Sequence, residues 1–399
     1  MHPDRQVDVV IVGGGPAGLS AAIVLARYGL RIVVCEQHSF PVDKACGEGI
    51  MPTGVAHLQR LGVARHLPAQ AVQPFAGIRY HSLQGRSAAA CFVEGPGWGI
   101  KRQALSAALL DTAREFDSIE IRSAVRAEPI AQLVSGSVVQ VDGERLLTRL
   151  LIGADGLNSR VRRWAGLDGQ PSTLKRWGAR QHIDIAPWSQ YVEVYLSKGL
   201  EAYITPCSAE QVGVAFLWDR SRHPRVRGGR GLMASLMQSF PEVQARLEGM
   251  QPADLPRAVG PLQRIVRSVV ADGVLLIGDA SGYLDAITGE GLSLALAQAL
   301  CLEQTVIPVL QRTSGPPAAR ELASYAKAYR AIVRPYYQMT QFVLRLSRHA
   351  TLAERVIQVL HKQPMLFQHL LSANMGLAAP WSPRRVSRWL WCMLRPRHR

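Results

Sequence analysis

Residues 7–18 read VDVVIVGGGPAG, and their reading decides the fold. Val7 to Val12 is short, apolar and β-branched, as a buried strand should be, and it runs without a break into Gly13-Gly14-Gly15-Pro16-Ala17-Gly18. LSAAIVLARYG follows with helix-forming composition, then RIVVCE supplies a second strand ending at Glu36. Strand, glycine turn, helix and strand in this order form a βαβ unit with a GxGxxG fingerprint. Gly13 permits the tight turn, Gly15 lets the backbone approach a pyrophosphate, and Gly18 lets the helix pack close to the strand. Pro16 and Ala17 open a helix whose free N–H groups and positive dipole end face the phosphates. Glu36 stands where an acid bonds a ribose hydroxyl, and an acid there disfavours a 2′-phosphate. The unit alone admits either NAD or FAD.

Outward from this unit, Leu146–Gly153 (LLTRLLIG) reads as another buried strand ending before Asp155-Gly156, and VLLIG at 274–278 as a third ending at Asp279. Between them YVEVYL (191–196) and QVGVAF (211–216) alternate, which predicts strands with one buried face in a separate sheet. Residues 291–311 and 321–346 carry helical periodicity, and Pro364, Pro380 and Pro383 break the remainder into short helices. With 399 residues and 48% hydrophobic composition the chain can bury one core and a smaller second lobe.

Six scattered cysteines, without CxxC pairs, predict neither a disulfide framework nor a metal site, and fit a reducing cytoplasm. The first apolar run enters a glycine turn rather than a cleavage site, so it reads as a strand and not a leader. The most apolar stretch, Gly273 to Leu310, contains Asp279, Asp285 and Glu290, and so reads as strand, loop and buried helix rather than a bilayer span. The net charge is +16, but half of it lies after Glu354, where no acid follows. That placement argues against nucleic acid and for an anionic surface met by the C-terminus. RRVSRWLWCMLR (384–395) as a helix sets Val386, Trp389, Leu390 and Met393 opposite Arg384, Arg388 and Arg395, which predicts peripheral membrane contact through Arg384 to Arg399.

Three landmarks in order, GGGPAG, Asp155-Gly156-Leu157-Asn158-Ser159-Arg160-Val161-Arg162 (DGxxSxVR) and Gly278-Asp279-Ala280, resemble those of the flavoprotein superfamily that includes para-hydroxybenzoate hydroxylase. The resemblance runs to about residue 345 and implies an α/β fold with FAD as cofactor. Its Rossmann-like FAD-binding domain would comprise 1–75, 95–170 and 262–345, with a mainly antiparallel substrate domain from 76–94 and 171–261 and a helical basic extension over 346–399. It further implies that Gly13, Gly15, Gly18 and Glu36 hold the ADP half and that Arg102 reaches the diphosphate. Asp279 would bond the ribityl chain, Gly289, Gly291 and Leu292 would run beside the flavin ring, and Asp155 would sit near the cofactor and help a nicotinamide approach. With one GxGxxG, NAD(P)H is expected to visit, reduce the flavin and leave.

Lys44-Ala45-Cys46-Gly47-Glu48-Gly49 resembles the KxCGxG loop of geranylgeranyl reductases and polyketide-tailoring flavin enzymes, as does Gly278–Gly291 their GDAAGxxxPxTGEG. Ser281-Gly282 replaces the histidine common in aromatic hydroxylases, and Ala286 the usual proline. Two reactions stay open. In hydroxylation, placed slightly ahead, reduced flavin activates oxygen and passes one atom to a lipophilic aromatic or polyketide-type ring. In reduction, hydride passes to a double bond of an isoprenoid or other lipid while Cys46 supplies the proton, with Glu48 nearby raising its thiol. Halogenation needs a lysine that Lys101 does not clearly supply, and a non-catalytic electron carrier would have little use for the second sheet.

Overall fold

The computed structural model describes residues 3–82, 84–172, 174–223 and 231–378. The predicted helix at 384–395 lies outside the described residues. β1 (Arg5–Val12) enters α1 (Pro16–Ala26) and returns as β2 (Ile32–Glu36), parallel to β1 with Ile32 opposite Val9. After α2 (Pro52–Leu61) the chain leaves for a second sheet as the hairpin β3 (Gly77–His81) and β4 (Ser87–Cys91). It comes back through α3 (Arg102–Arg114) to β5 (Ile119–Ser123), parallel to β2. A meander of β6 (Ala127–Leu133), β7 (Gly136–Val141) and β8 (Glu144–Gly153) then lays β8 parallel along the other side of β1, and the short α4 (Arg160–Trp164) follows.

The second sheet is completed by β9 (Arg176–Asp184), β10 (Tyr191–Ser197), β11 (Leu200–Pro206), β12 (Gln211–Asp219) and β13 (Arg257–Val259). The chain closes the first with β14 (Val270–Ala271) and β15 (Val274–Leu276). The first sheet runs β14-β15-β8-β1-β2-β5, with β7 and β6 off β8, and the second β13-β9-β12-β11-β10-β3-β4. All pairs in the second sheet are antiparallel except β10 with β3.

α1 is buried along its whole length, as expected of a helix apolar on every side. It sits between the first sheet and α5 (Gly291–Thr305), where Leu19, Ile23, Leu105, Leu109 and Leu296 form a solvent-free core. The stretch Gly291–Arg312 has mean hydropathy 1.5 over its best window and the length of a membrane-crossing helix, which the sequence reading did not find. Asp279, Asp285 and Glu290 all precede Gly291, and Glu303 is the one acid within the stretch. In the structure the stretch packs against α1, α2 and α6 (Ala323–Arg348) as a core helix.

The strands of the second sheet depart from the one-sided burial that their alternation predicts. β10 is buried at Val192 to Leu196 and β12 at Val212 to Asp219 without alternation. One face carries the short helices Leu232–Met237 and Pro241–Arg246, and the other meets the first domain and the C-terminal helices. These are α6, α7 (Ala350–Lys362) and α8 (Pro364–Asn374), the last two packing on β4.

Candidate functional site

Gly13 and Gly18 of the glycine turn leave no room for a side chain. A Cβ on Gly13, at φ +110°, would stand 2.3 Å from the Ala154 carbonyl oxygen, and one on Gly18 would stand 1.9 Å from that of Gly13. Pro16 and Ala17 begin α1 directly on this turn. The buried Glu36 accepts from the N–H of Gly14 (2.8 Å) and of His38 (3.0 Å), and each carboxylate oxygen keeps a lone pair for a sugar hydroxyl. Arg102, at the start of α3, brings Nη2 to 3.6 Å from the Cβ position of Gly15, while its buried Nε has no partner among the described residues. An unsatisfied cationic donor beside a turn open to close approach fits a diphosphate.

Gly278, at φ +63°, lies against Ala17, and Asp279 follows it. Burial raises the Asp279 carboxyl, against the pull of Lys44 and Arg102, so these three charges converge on one site. Gly289 turns at φ +71° and Gly291 and Leu292 open α5, bringing the predicted ring-side segment to the same end of the sheet. Asp155 also orders the chain that follows it. One oxygen accepts from the N–H of Arg160 (2.6 Å) and Val161 (3.3 Å), ordering the start of α4, and the other is buried without a partner among the described residues. The sequence reading gave no task to Arg162, yet it is buried and donates to the carbonyls of Ala280 (3.0 Å) and Leu157 (2.8 Å) and to Asp168 (2.6 Å). The second landmark thereby holds the third.

Cys46 is half-buried, and its Sγ accepts from the Glu48 N–H at 3.4 Å. Burial pushes the thiol up, Arg102 pulls it down and Glu48 pushes it further up, so it holds its proton at neutral pH. Glu48, expected beside Cys46 at the reaction, also has partners far away in sequence. It is 1% exposed, at φ 60°, and its oxygens take the Arg102 N–H (2.8 Å), His182 Nε2 (2.6 Å), Arg180 (3.2 Å) and the Cys207 thiol (3.5 Å). Its carboxylate spans the two domains. Lys101 caps α3 at its N-terminus and bears on Cys207.

Partners distant in sequence complete the surroundings. Arg176 (1% exposed) pairs with Glu201 (2.6 Å) and Asp285 (3.0 Å), both fully buried, and so ties the second sheet to the loop before Gly289. Tyr203 donates to the Ile287 carbonyl (2.8 Å) on that loop. Beside it an apolar cleft, bounded by Ile78, Leu196, Met339 and Phe367 among others, reaches from α7 and α8 to Thr288. Glu290, pushed up to about 8 by burial, accepts from Asn374 of α8 at 3.1 Å.

Residues 6–340 match the family described as FAD binding domain. The menaquinone reductase of Mycolicibacterium smegmatis is 28% identical over 318 residues, 73% of this chain and 74% of that protein. The digeranylgeranylglycerophospholipid reductase of Methanothrix thermoacetophila is 25% identical over 370 residues, 86% and 88% of the two chains. A 3-(3-hydroxy-phenyl)propionate/3-hydroxycinnamic acid hydroxylase of M. smegmatis is 29% identical over 149 residues, 36% of this chain and 26% of that one. In fold, a flavoprotein/dehydrogenase of Cytophaga hutchinsonii superposes with TM-score 0.80 at 19% identity, covering 93% of each chain.

Proposed function

The chain belongs to the FAD binding domain family, an FAD-dependent oxidoreductase, and within that family we propose that it reduces a double-bonded or quinone-type lipophilic substrate. FAD supplies the hydride in such a reaction, after reduction by a visiting NAD(P)H. The glycine turn and Arg102 hold its diphosphate, Glu36 its ribose, and Lys44 and Asp279 face each other where its sugar chain would pass. Cys46 keeps a proton on Sγ beside this site, and the alignment with reductases over most of the chain carries the reading. A carbon that gains hydride leaves its neighbour needing a proton, and a thiol held up by burial donates where a thiolate would not. The narrow cleft ending at Thr288 has the apolar lining that an aliphatic tail would need.

The relatives that align over most of the chain are reductases, whereas the hydroxylase aligns over 36% of it. Hydroxylation of a phenol with a lipid tail, the reading first favoured from sequence, is kept as the second. Anaerobic turnover of a lipoquinone or polyprenyl lipid with deuterated nicotinamide separates them. A product two hydrogens heavier formed without oxygen supports reduction, with deuterium retained where the hydride has gone to carbon. A product formed only in air and carrying ¹⁸O from labelled oxygen would replace it by hydroxylation.

Membrane contact through Arg384 to Arg399 belongs to the same proposal, since a lipid substrate has to be met at a lipid surface. Deleting residues 381–399 should abolish binding to anionic liposomes, and undiminished binding would remove the contact.

A further inference from the structure

Arg180 and His182 sit on one face of β9, two residues apart, and three carboxylates from other elements close around them. Arg180 bonds Asp43 (2.6 Å), Glu48 (3.2 Å) and Asp254 (2.7 Å), and Arg257 bonds Asp43 from outside (2.8 Å). The His182 ring is met at both nitrogens, Nδ1 by Asp254 (2.7 Å) with the Arg180 guanidinium also near it (3.2 Å), and Nε2 by Glu48 (2.6 Å). Cys207 touches Glu48, and Lys101 bears on Cys207. Asp43 and Glu48 bracket Cys46 in sequence, so this cluster fastens the Cys46 loop to the second sheet.

The two carboxylate contacts, shorter than the 3.2 Å contact from Arg180, favour the charged ring. A neutral imidazole has one N–H, so a ring with a carboxylate oxygen within 2.7 Å of each nitrogen would set a lone pair against a lone pair. The directly bonded cluster counts three carboxylates against two guanidiniums, and an imidazolium brings it to zero. Burial opposes the charge on His182, but the bonds to Glu48 and Asp254 outweigh burial and the repulsion of Arg180, raising it above an ordinary histidine. Glu48, Cys207 and His182 bring ligand-type atoms within 4.8 Å of one another. The 2.6 Å separation of Nε2 and Oε2 nevertheless suits a shared proton better than a tetrahedral ion, whose ligands at ~2.0–2.1 Å stand roughly 3.3 Å apart.

We propose that His182, as the imidazolium, is a positioning residue that latches the Cys46 loop to the second sheet, and that the latch opens when the ring loses its charge. Glu48 holds a positive φ unfavourable to a side chain, and its bonds across the domain boundary keep it there. From that conformation its N–H reaches the Cys46 Sγ. Loss of the imidazolium leaves one uncompensated negative charge buried beside Glu48, the strained backbone relaxes, and Cys46 loses its cover. Because the ionisation of His182 is raised, the latch is closed below that pKa and opens as pH rises through it. The latch rests on the FAD-binding fold and not on the choice of reaction.

The test uses the full-length, FAD-loaded protein with two readouts that need no substrate. Histidine ¹⁵N NMR, with His182→Gln assigning the signal, should show both ring nitrogens protonated at neutral pH. The rate of Cys46 alkylation by iodoacetamide, followed by peptide mass spectrometry and divided by that of N-acetylcysteine, should rise on the order of tenfold across the His182 titration, the change one pKa unit represents. Asp254→Asn should move the step to lower pH, and His182→Gln should remove it. If His182→Gln does not retain FAD, Asp254→Asn carries the test alone. A neutral His182 at neutral pH, a flat alkylation ratio, a step unmoved by Asp254→Asn, or one equivalent of zinc in the protein as purified would each overturn the latch. Loss of reductase activity in the earlier experiment would leave these readouts unchanged.

Discussion

Arg102 lies across the glycine turn from α1, with Nη2 at 3.6 Å from the Cβ position of Gly15 and a buried Nε that bonds nothing else among the described residues. A buried cationic donor left idle by the protein is costly unless a ligand takes it up. Arg102→Ala should therefore weaken FAD by about 1.5–3 kcal/mol, the value of a hydrogen bond to a charged group, or roughly ten- to a hundredfold in Kd. Fluorescence titration of the apoprotein measures this, and an unchanged Kd would place the diphosphate elsewhere.

Cys46→Ser should retain FAD with its ordinary visible spectrum while lowering anaerobic reduction of a lipophilic acceptor by roughly 10²-fold, the lower range for loss of a positioned acid. A serine hydroxyl fills the same space but is a far weaker acid. Turnover equal to the parent would take the thiol out of the reaction.

The buried group Arg176, Glu201 and Asp285 predicts an asymmetry between two substitutions. Burial raises Glu201 even against the pull of Arg176, so desolvation offsets much of what its charge gains from the pair. Glu201→Gln should then be mild. Arg176→Met strands Asp285, which is fully buried, and should cost about 3–5 kcal/mol. Urea unfolding of both variants decides it, and equal losses would mean that desolvation does not offset what the Glu201 charge gains.

Glu290 sets a pH dependence of stability. Its folded pKa of about 8 lies above the unfolded value, so the folded chain holds a proton there that the unfolded chain has released. The contribution is undiminished below the unfolded pKa and falls as pH rises from about 4.3 toward 8. Glu290→Gln should flatten that slope and raise Tm most near its upper end. A parallel Tm profile in the variant would show that Glu290 is ionised in the folded protein.

The parts of the site built from neighbours in sequence could be read directly. GGGPAG and the turn at Gly278 carry their geometry in a few adjacent residues, because glycine there marks backbone that no side chain permits, and the Cys46 loop shows itself by its motif. The parts built across the chain could not. Nothing near Glu48 in sequence announces His182 or Asp254, and Asp285 looks like a loop acid until Arg176 arrives from the other sheet. Burial of both faces of β10 and β12 was hidden for a related reason, since alternation records one covering layer and says nothing of a second brought by distant helices.

The hairpin Gly77–Cys91 enters the second sheet through a parallel pairing of β3 with β10, and Tyr191–Ser197 is made only after the strands and helices of the first domain between them. During synthesis the hairpin therefore emerges with an open edge and no sheet to join. A ribosome paused before Tyr191 would hold a chain with this edge uncovered, so that stretch of translation is where a chaperone or a misplaced strand has its opening.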